Sequence, residues 1–450
     1  MTAPARTAAY HALRAIAADR ADLPAALATS RQRLSDERDR ALAAEIVTGT
    51  LRWQRSLDHL VAFFAKRPVS RLDLEVTVIL RLSLYQLLHL TRIPASAAVD
   101  DAVDLTRAAR KPSASGFVNA VLRNTLRERH RLPLPARPED TGDRAAALAY
   151  LGITHSHPEW LVARWLDRHG FDAAERWAQF DNDAPSLTLR ANTLRVLREE
   201  VARALAEDDI ETEPTRHAPH GLTVVTGNPL RRPPEGLFFV QDEASQLVSL
   251  AVGAQPGDRV LDLCASPGGK TTAMAADMRD SGTIVACDVR ERRIALLEDT
   301  VHASGATRIR VMRVSGEGAL PFSPAFDRVL VDAPCSGLGT IRRDPDIRWR
   351  RAEASLPALA RDQLALLARA ADVVSPGGRL VYATCSSEPE ENEEVVDAFL
   401  GSHDGFTLVD LRRDGDPAIR PFLDSRGMMR TLPFEHGLEA FFAAALTRGR

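Results

Sequence analysis

The fold is decided by residues 261–271, which read Leu261-Asp262-Leu263-Cys264-Ala265-Ser266-Pro267-Gly268-Gly269-Lys270-Thr271. An apolar, strand-like run leads into this stretch and a helical run leads out of it. Glycines between a strand and a helix let the backbone approach a ligand closely, and open α/β sheets bind ligands beyond the carboxyl ends of their strands. The stretch therefore predicts an α/β sheet whose ligand-binding loop runs from Cys264 to Lys270.

Two nucleotide-binding loops must be weighed against this one. A phosphate-binding loop needs a glycine five residues before the Gly-Lys pair, and that position holds Cys264. The Gly-x-Gly-x-x-Gly pattern of dinucleotide-binding folds is absent. The next strand ends at Asp288, where a carboxylate can accept both hydroxyl groups of a ribose. The pattern favours a nucleoside cofactor without a phosphate cradle.

Strand-like and helical runs alternate from residue 236 onward, which predicts a parallel sheet covered by helices on both faces. A final apolar run, residues 441–449, is expected to be the last strand. The strand-like segments are DRVLDLC at 258–264, GTIVACD at 282–288, IRVMRV at 309–314, FDRVLVDAP at 326–334 and GGRLVYATC at 377–385.

The N-terminal part of the chain differs from the rest in its pattern and its charge. Residues 1–140 are patterned as helices and hold 22 Lys and Arg against 15 Asp and Glu, a balance of +7. Such a balance suits RNA binding, although a solvated basic surface would explain it equally well. Prolines at 133–138 predict a linker, residues 145–235 mix short strands and helices, and an Arg-Arg-Pro-Pro segment at 231–234 predicts the last boundary. We expect domains at 1–140, 145–235 and 236–450.

The composition, 45% hydrophobic and 26% charged, is that of a folded protein. No apolar run approaches the length of a membrane span, and no secretion signal is evident, so no membrane partner is expected. Four cysteines form neither a disulfide framework nor an evident metal site, which favours a reducing cytoplasm and a protein without metal. A monomer is expected.

Two cysteines follow the ends of predicted strands, in Asp332-Ala333-Pro334-Cys335 and in Ala383-Thr384-Cys385-Ser386. Adjacent parallel strands lie about 4.8 Å apart, so both thiols can reach one pocket beside the cofactor loop. We expect Cys264 and Cys287 to be packing residues. The acidic run after Cys385, up to Asn392 and beyond, is expected to begin a solvated helix.

Paired thiols suit methylation at carbon 5 of cytosine. A thiolate that adds to carbon 6 makes carbon 5 nucleophilic, and a second group can assist the elimination that follows. Asp332 can bind the polar edge of the base, and Lys270 can hold Asp332 and place positive potential near the thiolate. The residues alone leave open which cysteine attacks.

At this point the sequence resembles the Nol1/Nop2/Sun family of RNA cytosine-5 methyltransferases, and within it the bacterial Sun/Fmu (RsmB) branch. The matching segments are VQDEASQLV at 240–248, LDLCASPGGKT at 261–271, DRVLVDAPCSGLGTIRRDPDIRW at 327–349 and GGRLVYATCSSEPEENEEVV at 377–396. The resemblance implies a class I, Rossmann-like methyltransferase sheet with an antiparallel last strand. An all-α NusB-like domain and a small α/β subdomain would precede that sheet.

The same resemblance implies S-adenosyl-L-methionine as the cofactor, 16S ribosomal RNA as the partner and a 16S rRNA (cytosine-5-)-methyltransferase activity. It makes Cys385 the nucleophile and Cys335 the helper in product release. Cofactor contacts would come from the 264–270 loop, Asp288 and Asp332. The family has Asp within a Gly-Asp-Gly after the third strand, where this chain has Glu317, so Glu317 is expected to make that contact.

The middle subdomain is expected to contact RNA through Arg190 and Asn192. Two rivals remain for the whole chain. A DNA cytosine-5 methyltransferase would use the cysteine of the Pro-Cys pair, Cys335, and is disfavoured by Cys385 and by the basic front. A non-catalytic RNA-binding factor is disfavoured by the intact set of Cys335, Cys385, Asp332 and Lys270.

Overall fold

The computed structural model describes residues 3–231, 233 and 235–450. Two of the four residues in the predicted boundary segment at 231–234 therefore lie outside the described residues. The chain folds into two compact units. Unit 1 runs to Asp183 and includes Ile341–Glu353, and unit 2 comprises Ala184–Thr340 with Ala354–Arg450. No helix in the described ranges combines the length and the apolarity needed to cross a membrane.

Unit 1 is helical, as its sequence pattern predicts. Its core is built from the apolar stripes of the first seven helices, including Leu13, Ile46, Leu57, Ile79 and Leu122. A π-helical turn at Tyr150–Thr154 follows the eighth helix. The helices are α1 (Pro4–Ala17), α2 (Leu23–Arg33), α3 (Glu37–Arg52), α4 (Gln54–Ala65), α5 (Leu74–His89), α6 (Ala95–Ala108), α7 (Ser115–Arg127), α8 (Arg144–Ala149), α9 (Glu159–His169) and α10 (Phe171–Asn182).

One segment of unit 1 lies far along the sequence. The Arg348 guanidinium, on a short helix at Ile347–Arg350, is fully buried and donates to the carbonyl oxygens of Arg52, Ser156 and Asp181. The Trp349 indole donates to the carbonyl of Leu51 over 2.7 Å. Because buried donors must find acceptors, these bonds anchor the segment within unit 1.

Unit 2 begins with a small antiparallel sheet of strand order β2-β3-β1-β4, packed against one helix. The apolar side chains of Leu189, Val201 and Leu222 form its core. The mixture of short strands and helices predicted for residues 145–235 is confirmed in this part of the chain. The elements are β1 (Thr188–Ala191), α11 (Arg198–Ala206), β2 (Glu211–Pro214), β3 (Gly221–Thr226) and β4 (Phe238–Val240).

The large sheet of unit 2 has the strand order β10-β12-β9-β8-β5-β6-β7, with β11 paired to β12. Its elements are α12 (Glu243–Val252), β5 (Arg259–Asp262), α13 (Gly269–Asp277), β6 (Thr283–Asp288), α14 (Glu291–Ser304), β7 (Ile309–Arg313), β8 (Phe326–Asp332), α15 (Ile347–Arg350, in unit 1), α16 (Leu356–Ala371), β9 (Val374–Thr384), α17 (Glu393–Ser402), β10 (Phe406–Leu408), α18 (Leu411–Asp414), β11 (Met429–Arg430), α19 (Pro433–His436) and β12 (Phe442–Arg448).

Strands β5 to β9 of this sheet are parallel, and β12 runs antiparallel between β9 and β10. Alternate residues of each strand enter opposite cores: Leu330 and Val381 belong to one, and Val331 and Leu380 to the other. Burial on both faces explains the continuous apolar runs in the sequence. The predicted class I methyltransferase sheet, with its antiparallel last strand, is confirmed.

Candidate active site

The two cysteines that follow strand ends are brought together. Strands β8 and β9 are parallel neighbours, with Asp332 opposite Ala383 in the register. Cys335 and Cys385 extend from these strands at the same edge of the sheet, and their Sγ atoms lie 3.3 Å apart. Both side chains are half-buried, and neither takes part in a disulfide. A substrate that reaches one sulfur therefore also meets the other.

The two cysteines have different electrostatic environments. The hydrogen bond to Cys385, followed by burial and the nearby Glu391 charge, raises the pKa of Cys335. Cys335 is therefore a neutral thiol at neutral pH. Lys270 lies near enough to Cys385 for the two groups to interact electrostatically. A positively charged group is therefore near Cys385, and the Glu391 carboxylate is near Cys335.

Lys270 also joins the cofactor loop to the cysteine site. Its Nζ donates to Oδ2 of Asp332 over 2.6 Å, and it lies 5.6 Å from the centre of the Phe441 ring. Burial alone would lower the pKa of Lys270, but the Asp332 carboxylate outweighs it and the pKa is raised. The ammonium group is therefore kept charged in a largely buried position.

The predicted ligand loop connects β5 to α13, as the sequence indicates. Gly268 has φ +109°, and a Cβ atom there would come within about 3 Å of Leu297 and Thr300 side-chain atoms. A larger residue would strain both the backbone and this packing. The loop consequently passes close to α14, at the carboxyl edge of the sheet where ligands of open α/β folds bind.

Asp288 ends β6 and has the geometry of a ribose acceptor. Its side chain is 4% exposed. Oδ1 accepts hydrogen bonds from the backbone N–H groups of Val289 and Arg290, whereas Oδ2 has no hydrogen-bond partner among the described residues. The nearest cation to Oδ2 is Arg293, at 3.6 Å. A buried carboxylate oxygen held in place without a donor fits the hydroxyl groups of a nucleoside.

Glu317 lies in an exposed loop after β7. The Arg369 guanidinium of α16 supports this loop by donating to the carbonyl oxygens of Ser315, Gly316 and Gly318. Sequence reasoning did not identify Arg369, because its partners lie more than fifty residues away. The contact expected of Glu317 stays a prediction.

Asp262, at the end of β5, is a second residue that sequence reasoning missed. It is 1% exposed, and its Oδ2 accepts a hydrogen bond from Thr271 of α13 over 2.7 Å. Burial raises its pKa to about 7. The signal available in the sequence was its position, since an acid ends the first strand of a sheet that binds ligands at that edge.

Arg190 and Asn192 have an internal role. Arg190 is 3% exposed and donates to Gln241, to Thr272 and to the Gly269 carbonyl, so it braces the start of α13. Asn192 is fully buried and donates to the carbonyl oxygens of Gly236 and Ser304. Their burial removes the basis for direct contact with RNA, because an RNA-reading side chain must be accessible.

Part of the acidic run after Cys385 is also internal. The helix predicted there begins, as α17, at Glu393. The prediction that the run is solvated is wrong for Glu388, Glu391 and Asn392, which are 0–1% exposed. Their polar atoms are satisfied by the strand ends and loops around the two cysteines. Within the described ranges, no group of three or more His, Cys, Asp or Glu could hold a metal ion.

A sheet of this strand order, with a ligand loop after its first parallel strand and an acid at the end of the next, defines a class I methyltransferase. Comparisons with known proteins agree. The family model described as 16S rRNA methyltransferase RsmB/F matches residues 249–447. The NusB family matches residues 3–127, and a ferredoxin-like domain of RsmF/B-like methyltransferases matches 157–231.

Relatives match along almost the whole chain. A probable ribosomal RNA small subunit methyltransferase B of Bacillus subtilis is 34% identical over 92% of each chain. Its counterpart in Synechocystis is 36% identical over 91% of each. Among solved structures, that of PH0851 is 29% identical with a TM-score of 0.79 over 99% of each chain. The chain belongs to the RsmB/F family of methyltransferases, and its cofactor is S-adenosylmethionine.

Proposed function

We propose that the protein transfers a methyl group from S-adenosylmethionine to carbon 5 of a cytosine in 16S ribosomal RNA, through a covalent bond between Cys385 and that cytosine. The observation that carries this proposal is the 3.3 Å approach of the Cys335 and Cys385 sulfur atoms beside the Lys270–Asp332 ion pair. The substrate follows the relatives, which are named as methyltransferases of the small-subunit ribosomal RNA.

The cofactor fits the residues at the carboxyl edge of the sheet. Asp288 would accept the ribose hydroxyl groups through its open oxygen, and the 264–270 loop would lie against the cofactor. Glu317 would contact the adenine amino group. When bound, S-adenosylmethionine supplies an electrophilic methyl group on a positively charged sulfur.

The protein's own groups make carbon 5 reactive. The Cys385 thiolate, stabilised by the Lys270 ammonium, adds to carbon 6 of the cytosine. Asp332, held by Lys270, accepts hydrogen bonds from the polar edge of the base and favours protonation of its ring nitrogen. Carbon 5 then takes the methyl group.

Release reverses the addition. A water molecule takes the proton from carbon 5, the electron pair of that bond restores the double bond between carbons 5 and 6, and the Cys385 sulfur leaves as a thiolate. Cys335 lies within hydrogen-bond distance of that sulfur and assists this step. The assignment of the nucleophile to Cys385 follows the family resemblance, and the nearby Glu391 charge disfavours a thiolate at Cys335.

The domains take their roles from the same proposal. Residues 1–140 would anchor RNA through their basic surface, 145–235 would form the small α/β subdomain, and 236–450 would catalyse the transfer. A ribosomal RNA substrate places the enzyme in the cytoplasm, where we expect it to act as a monomer.

The roles of the two cysteines can be distinguished by trapping the covalent protein–RNA intermediate. With S-adenosylmethionine and 16S ribosomal RNA, Cys385→Ala should form neither product nor adduct, because no thiolate attacks. Cys335→Ala should accumulate a protein–RNA adduct that survives denaturing electrophoresis. Cys287→Ala, which removes a buried thiol elsewhere in the sheet, is the matched control and should methylate without trapping.

Bisulfite sequencing of the product locates the methylated cytosine. DNA of the same sequence serves as the comparison substrate. Methylation of DNA in place of RNA, or full activity in both cysteine variants, would contradict the proposal. Trapping by Cys385→Ala alone would reverse the two roles.

A further inference from the structure

The loops that carry the two cysteines are joined by one carboxylate. Glu391 ends a single helical turn, Pro389–Glu391, and is fully buried. Its Oε1 accepts a hydrogen bond from the backbone N–H of Ser336 over 2.8 Å, and its Oε2 accepts one from Ser386 Oγ over 2.5 Å. Ser336 and Ser386 are the residues that directly follow Cys335 and Cys385.

Other buried groups complete this connection. Gln363 Nε2 donates to Oε1 of Glu391 over 2.9 Å and to the Pro334 carbonyl over 3.0 Å. The hydroxyl oxygens of Ser336 and Ser386 lie 3.2 Å apart. Each partner is a neutral donor, and charged acceptors form the stronger hydrogen bonds. Both cysteine loops are therefore tied to the same carboxylate, each through a different oxygen atom.

Burying a carboxylate is costly unless several donors compensate it, so a fully buried acid at a site needs a reason. A neutral side chain would satisfy the same loops at lower cost if packing were the only requirement. Two hydrogen-bond partners of this acid directly follow the two cysteines, which points to a role in setting the geometry of the thiol pair. Its negative charge also faces Cys335, whereas Lys270 faces Cys385.

We propose that Glu391 is a positioning residue that holds the Cys335–Ser336 and Cys385–Ser386 dipeptides at a fixed separation, so that Cys335 can reach the sulfur that leaves during release. The catalytic consequence rests on the proposed function. The geometric consequence does not, because the distance between two thiols can be probed without RNA.

Phenylarsine oxide is a suitable probe of that distance. It condenses with two neighbouring thiols, forming two sulfur–arsenic bonds and releasing one water. The wild-type protein should form one dithiol adduct that is lost in Cys335→Ala and in Cys385→Ala. Glu391→Gln keeps the size of the side chain but replaces one acceptor oxygen with a donor, and should lower the apparent affinity for the arsenical roughly tenfold.

Two further variants separate positioning from general destabilisation. Ser386→Ala removes the hydroxyl that donates to Glu391, accepts from the Glu388 backbone N–H and lies 3.2 Å from the Ser336 hydroxyl. Glu391 keeps its bonds from Ser336 N–H and Gln363, so this variant should shift the arsenical affinity in the same direction by less. Glu393→Gln is the matched control, since Glu393 lies two residues away and pairs with Arg430 instead of the cysteine loops. It should behave as the wild type. Unchanged binding of S-adenosylhomocysteine shows that the sheet is intact in each variant.

The catalytic readout is the split between kcat and KM. Glu391→Gln should lower kcat for methylation roughly tenfold, leave KM for RNA unchanged and accumulate the protein–RNA adduct. Wild-type arsenical affinity in Glu391→Gln overturns the inference, whatever the activity. If the arsenical affinity falls but the wild-type protein methylates no RNA, the positioning role stands and the proposed function fails.

Discussion

Nζ of Lys270 lies 2.6 Å from Oδ2 of Asp332, and this ion pair joins the first residues of α13 to the end of β8. Lys270 is one of three lysines in a chain with 58 Lys and Arg residues. It belongs to the loop expected to hold the cofactor, whereas Asp332 precedes Cys335 by three residues. In the proposed function, the pair would couple the placement of the methyl donor to the placement of the base.

Lys270→Met should lower kcat roughly 10- to 100-fold, because it removes a hydrogen bond between charged groups and leaves Asp332 without its partner. Lys111→Met is the control, since Lys111 pairs with Asp73 at the surface of unit 1. Steady-state methylation assays compare the two variants. A wild-type kcat in Lys270→Met would show that the ion pair does not serve the reaction.

Asp288→Ala should weaken S-adenosylhomocysteine binding about tenfold, because an oriented acceptor of the ribose is lost. Isothermal titration calorimetry measures the affinity. Glu291→Gln removes a neighbouring exposed acid, paired with Arg313, and should bind normally. The wild-type protein should not bind ATP, because position 264 lacks the glycine of a phosphate-binding loop. Tight ATP binding would contradict the cofactor assignment.

The stability of unit 2 should fall as pH rises from about 4 to about 7. The folded protein keeps Asp262 protonated up to its pKa of about 7, whereas the unfolded chain loses that proton near the ordinary aspartate pKa of 3.8. Folding therefore takes up a proton between these pH values, and one such group changes stability by about 1.4 kcal/mol per pH unit. Asp262→Asn should flatten this dependence.

Calorimetric melting at several pH values tests this, using the transition that S-adenosylhomocysteine shifts upward. Asp327→Asn is the control. Burial would raise the pKa of Asp327, but hydrogen bonds from Arg259 outweigh burial and the pKa is lowered. The contribution of Asp327 to stability is therefore lost only in acid. An Asp262→Asn variant with the wild-type pH dependence would show that this carboxyl group does not titrate near neutrality.

Arginines on α7 and just after it should contribute to RNA binding. Arg123, Arg127 and Arg129 are exposed. Replacing all three with glutamine should weaken RNA binding and make its salt dependence shallower, because each lost phosphate contact lowers the slope by about 0.7 to 0.9. Filter binding at several salt concentrations measures the slope. Cofactor affinity should not change, and an unchanged slope would place the RNA contacts elsewhere.

Removing residues 1–140 would disturb residues outside that range. Arg348 and Trp349 donate to carbonyl oxygens of Arg52 and Leu51, so the truncated chain would expose a buried guanidinium and an indole. These bonds join residues almost three hundred positions apart. No local pattern could have indicated that Ile341–Glu353 packs in unit 1.

The sheet, the ligand loop and the candidate thiols could all be predicted from the sequence. These features are local, since strand and helix periodicity, a Gly-Gly turn after β5 and polar residues at strand ends are all readable within a few residues. The parallel order of β8 and β9 then brought Cys335 and Cys385 to one edge, as the pattern predicted. Resemblance supplied the antiparallel placement of β12.

Which polar residues are buried could be learned only from the tertiary structure. The acidic run around Glu391 has the composition of a solvated helix start, and Arg190 lies in a strand of alternating pattern. Each can be buried because distant elements supply its hydrogen-bond partners. These are Ser336 and Gln363 for Glu391, and Thr272 for Arg190. The free energy of a buried polar group depends on the donors and acceptors that surround it, and long-range packing, not the local sequence, brings those groups together.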